Sequence, residues 1–76
     1  MKELWETLAR RENEFWLYVG CAMDRNKNVT VALAHTWQKL LSAKREALIH
    51  GNDSRASNAL KEYDTAFNAA RLAWGV

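Results

Sequence analysis

Apolar residues recur along this chain in three blocks at helical spacing, separated by two polar breaks. At 100° per residue, Leu4, Trp5, Leu8, Phe15, Trp16, Val19, Ala22 and Met23 fall on one side of a helix over about residues 2–23. A second block, over about 29–49, puts Leu33, Trp37, Leu40, Leu41, Ala47 and Leu48 on one face. In the third, over 54–74, Ala56, Leu60, Tyr63, Phe67, Ala70 and Trp74 alternate steps of four and three, the spacing of a coiled-coil seam. Ala59, Ala66 and Ala73 widen that seam with small residues, which lets a neighbouring helix come close.

The breaks have the chemistry of helix ends. Asp24-Arg25-Asn26-Lys27-Asn28 is polar and Asn-rich, with Asn28 or Thr30 suited to cap the second helix. His50-Gly51-Asn52 supplies a glycine stop, and Asp53 or Ser54 is placed to cap the third helix. The chain has no proline, and its β-branched residues make no sustained alternating run, so strands are not expected. Short connections force antiparallel neighbours. The expected fold is therefore all-α, one antiparallel three-helix bundle over residues 1–76, with a dimerising helical hairpin as the alternative.

Seventy-six residues bury only ~60% of the surface the unfolded chain exposes, so the core is small. Four Trp, two Tyr and two Phe compensate, since each buried aromatic removes ~150–250 Å² from water. Cys21 is the single cysteine, which precludes an internal disulfide and fits a reducing, cytoplasmic setting. The longest uncharged apolar stretch, Phe15 to Met23, is shorter than the ~20 residues a membrane helix takes, and no secretory leader is read at the start. No membrane partner is expected.

Two charges interrupt the apolar stripes: Glu12 on the first helix and Lys44 on the second. Antiparallel pairing brings them level, with the Tyr63 hydroxyl as a third member of a buried polar group. A carboxylate in such a place acquires a raised pKa and general acid–base capacity. Structural ion pairs and snorkelling side chains are far commoner than active sites made of one Glu and one Lys, so the pair is read as structural and no enzyme is expected.

Phe15-Trp16-Leu17-Tyr18-Val19 is apolar around the whole circumference of its helix, and one flank of it has no core to serve. Leu17 points away from the stripe, and Cys21 lies one turn further on nearly the same back face. Adjacent exposed apolar and aromatic residues mark interaction surfaces. The expected partner-binding set is Leu17, Tyr18 and Cys21, with Trp5 and Trp74 at the rim.

Eleven Lys and Arg against nine Asp and Glu give a formal +2, with the signs interspersed. No helix has a continuous basic face, so a nucleic-acid-binding regulator of small helical type is the alternative rather than the first reading. His35 and His50 stand apart without metal-spaced companions, and Gly20, Gly51 and Gly75 form no phosphate loop. No metal, cofactor or small molecule is expected. These features together describe a non-enzymatic regulator, adaptor or inhibitor that binds another protein or itself, as in a homodimer.

Overall fold

A computed structural model of the chain describes residues 2–51 and 54–75. It contains three helices, α1 (Lys2–Asp24), α2 (Thr30–His50) and α3 (Ser54–Trp74), which pack side by side in an all-α bundle. Moving forward on α1 from Glu12 to Phe15 moves the contact backward on α2 from Lys44 to Trp37, so these two helices are antiparallel. Arg11 meets Asp64, Tyr18 meets Phe67 and Arg25 meets Gly75, so α1 and α3 run in the same direction.

The breaks do their work through the backbone. Asn26 takes a positive φ of 60° just past α1, its N–H donates to the Met23 carbonyl at 2.9 Å, and Lys27 N–H donates to the Ala22 carbonyl at 3.0 Å. That is a Schellman stop with asparagine at the left-handed position, where its side chain is better tolerated than most. Val29 occupies the cap position of α2 without a side-chain bond, while Asn28 Oδ1 accepts from Thr30 N–H at 3.2 Å. Thr30 itself is the first helical residue. Gly51 ends α2 at φ 68° and ψ −146°, a backbone region essentially reserved for glycine, and its N–H donates to the Ala47 carbonyl at 2.9 Å. The expected cap Asp53 lies outside the described residues.

The core is built differently on its two sides. Between α2 and α3 it is mostly alanine: Ala43, Ala47, Ala56, Ala59 and Ala70 are all buried, and these two helices are the most intimately packed pair. Between α1 and the α2/α3 hairpin it is aromatic. Phe15 stacks on Trp37 at 5.7 Å between ring centroids, Tyr18 meets Phe67 edge-on at 5.5 Å, and Tyr63 stacks on Phe67 at 5.7 Å. Large rings hold α1 off the hairpin, whereas methyl groups let α2 and α3 close together.

This asymmetry overturns part of the expected core. Trp16 and Met23 on α1, and Leu41 and Leu48 on α2, are exposed; Leu40 and Ala47 of the expected α2 stripe are buried, and Thr36 and Ala43, from outside it, are buried with them. Helix α2 is rotated so that its small residues meet those of α3. Leu41 and Leu48 are displaced to the outer edge, while Leu40 stays in the core.

Candidate functional site

The structure brings Glu12 and Lys44 together on the seam between α1 and α2, with Lys44 Nζ donating to Glu12 Oε2 at 2.8 Å. The ammonium also lies 5.8 Å from the centre of the Trp37 ring, within reach of a weak cation–π attraction. The two side chains retain 30% and 31% of their accessible surface, so water reaches the pair and shares in its solvation.

Tyr63 is not a member of this group, contrary to expectation. Its ring is buried, and its hydroxyl donates to the Arg11 carbonyl of α1 at 3.1 Å. The reason is the helix that carries it: α3 faces the α1 backbone one residue before Glu12, on the other side of α1 from Lys44. Burial holds the Tyr63 phenol well above its ordinary range, the neighbouring Asp64 carboxylate adds to the effect, and the Arg11 guanidinium opposes it. Arg11 Nε in turn sits 2.9 Å from Asp64 Oδ1, completing an α1–α3 clasp around the phenol.

The second half of α1 presents the other candidate surface. Leu17 is 64% exposed, and Trp16 and Met23 on the same half-helix are also exposed. Tyr18 is half-buried, its ring against Phe67 on one side and 4.5 Å beneath the Arg71 guanidinium on the other. Cys21 is half-buried and unbonded to any other cysteine. Trp5 packs partly into the core, and Trp74, 2% exposed, lies wholly within it. Trp74 therefore does not sit at a surface rim; it closes the last turn of the α3 seam. Sequence reasoning placed Trp16 and Met23 in the core because they share the stripe of Phe15 and Val19, yet the hairpin is too narrow to cover the whole stripe.

Gly20 lies on the same exposed stretch, with open space where a side chain would stand. Nothing inside the subunit requires a glycine there. Among the described residues, no helix is long and apolar enough to cross a membrane, and no group of three or more His, Cys, Asp or Glu side chains is clustered as metal ligands would be. No protein-family model, curated protein or solved structure matches the chain.

Proposed function

We propose that this chain is a small non-enzymatic protein-interaction module, a regulator, adaptor or inhibitor, that works by covering a site on another protein with the second half of α1. The reading is supported above all by Leu17, a large aliphatic side chain left 64% exposed beside the exposed Trp16. Full burial of a leucine is worth ~1.5–3 kcal/mol, so these adjacent side chains represent association energy that the lone subunit leaves unused. Tyr18 and the half-buried Cys21 edge the surface, and Tyr18 is held in place by the core behind it.

The open Glu12–Lys44 pair does not argue for chemistry. Its two charges satisfy one another, and water has access to both. Nucleic-acid binding draws little support from the charge layout, because Arg11, Lys39 and Lys44 each stand beside a carboxylate. A phosphate-binding protein loses affinity steeply as salt rises, so a mobility shift at low ionic strength is the direct discriminator.

The test is affinity capture and solution mass for the parent and for Leu17→Lys, with circular dichroism confirming that the fold is kept. Capture of a specific protein other than the chain itself is expected for the parent and lost in the variant. Binding that survives Leu17→Lys with undiminished affinity excludes this surface.

A further inference from the structure

On the face away from α1, α2 and α3 enclose a groove of about 530 Å³. Its walls are small, formed mainly by Ala32, Ala66, Ala69 and Ala73 around Thr36. Thr36 is the anomaly. Thr7 and Thr65 donate their hydroxyls to the carbonyls of Glu3 and Lys61 one turn back, the usual resting place of a helical threonine. Thr36 is 1% exposed and its Oγ1 has no hydrogen-bond partner within the subunit. A buried hydroxyl left unpaired costs ~1–3 kcal/mol, and Thr36 is part of the lining of this groove.

The charges on the groove identify what fits. Lys39 on α2 and Glu62 on α3 face each other across it at 3.7 Å, a loose and solvent-exposed pair of opposite signs at one level. Following α2 back from Lys39 and α3 onward from Glu62 leads to Val31 and Leu72 at the same end, 81% and 84% exposed. A surface with complementary features at matched heights on two antiparallel helices is complementary to itself.

We propose that the α2/α3 groove is the seat of a second copy of this chain, related by a two-fold axis parallel to the helices. That operation lays the copy's α2 over α3 and its α3 over α2, antiparallel, with every residue keeping its height. Lys39 of each copy then faces Glu62 of the other, and Val31 of each comes beside Leu72 of the other. The four hairpin helices form an up-down bundle, the alanines allow their close approach, and Thr36 comes to face the copy's α3 at the level of Thr65. A stable dimer buries ~800 Å² per partner, which requires the two copies to meet along most of the length of a rod of 39 × 18 × 15 Å. The proposal is independent of the α1 surface, which this arrangement leaves on the outside.

The experiment is light scattering over a dilution series on the parent, on Lys39→Glu, on Glu62→Lys and on an equimolar mixture of the two variants. The parent is expected to be a dimer, and each single reversal weakens association by roughly tenfold or more because like charges then meet across the interface. The mixture restores a heterodimer. The carboxylate introduced in one chain finds the ammonium introduced in the other, and the unaltered Glu62 and Lys39 pair across the same interface, while within each chain the two charges remain alike. An ion pair that serves only its own subunit gives no such rescue. Ala69 is exposed in the subunit, so Ala69→Arg leaves the fold intact and is expected to abolish the dimer. A monomeric parent, a dimer indifferent to Ala69→Arg, or the absence of rescue in the mixture overturns the proposal. A dimer dissolved by Leu17→Lys but not by Ala69→Arg overturns it too, assigning self-association to α1 instead.

Discussion

Lys44 Nζ stands 2.8 Å from Glu12 Oε2 and 5.8 Å from the centre of the Trp37 ring, so one ammonium joins α1 to α2 through a carboxylate and an aromatic face. Both charged side chains are about a third exposed, and the stabilisation is that of a partly screened pair. A double-mutant cycle of Glu12→Gln and Lys44→Met, followed by urea unfolding, is expected to give a coupling of ~0.5–1 kcal/mol. A coupling of ~3 kcal/mol or more would mean that the pair is desolvated in solution.

Tyr63 links stability to high pH. Its phenol is held well above the ordinary range by burial, with Asp64 adding to the effect. The unfolded chain therefore gives up this proton near pH ~10 while the folded chain keeps it, and the unfolded state binds fewer protons above that point. Stability is full below pH ~10 and falls as pH rises beyond it, approaching ~1.4 kcal/mol per pH unit. Tyr63→Phe removes this dependence and gives up the bond to the Arg11 carbonyl, a loss of ~1 kcal/mol at neutral pH. Equal alkaline slopes for parent and variant would show that the phenol is not shielded.

The alanine contacts between α2 and α3 set the spacing of those helices. Ala47→Leu introduces volume where the helices touch and is expected to cost ~1–3 kcal/mol, while Leu48→Lys, one residue along at 74% exposure, changes subunit stability by no more than ~0.5 kcal/mol. Thermal melts of the two variants test the rotation of α2 directly. If Leu48→Lys proves the more damaging, the leucine edge is the packed one.

Two backbone positions end the helices. Asn26→Val forces a β-branched residue to a φ of 60° and is expected to cost ~1–2 kcal/mol, whereas Asn26→Gly is tolerated. Gly51→Ala places a side chain at φ 68°, ψ −146° and is expected to cost ~1–3 kcal/mol in denaturant unfolding. Indifference to both substitutions would mean that these turns relax freely.

Gly20 is exposed within α1 with open space about it, so Gly20→Ala is expected to stabilise the subunit by ~0.5–1 kcal/mol. A partner that approaches the α1 backbone closely would then bind the variant less well even as its melting temperature rises. Unchanged affinity would place Gly20 outside the α1 contact.

Much of this architecture is legible in the order of residues, because helical periodicity and backbone stops are local properties. The three stripes, the Asn-rich break ending in Asn26, the glycine stop at Gly51 and the Ala56-to-Trp74 seam each depend on neighbours within a few positions. The levels of Glu12 and Lys44 follow as well, since short turns dictate antiparallel counting. Which edge of each stripe faces inward is settled only by packing. Leu41 and Leu48 match the helical period as well as Ala43 and Ala47 do, and only the presence of α3, whose own alanines demand a close neighbour, turns α2 toward its small residues. The same packing carries the Tyr63 hydroxyl to the Arg11 carbonyl, draws Trp74 inside, leaves Leu17 exposed and leaves the Thr36 hydroxyl without a hydrogen-bond partner. A helix's period determines the width of its apolar arc, but contact with two neighbours at unequal distances determines which part of that arc is covered.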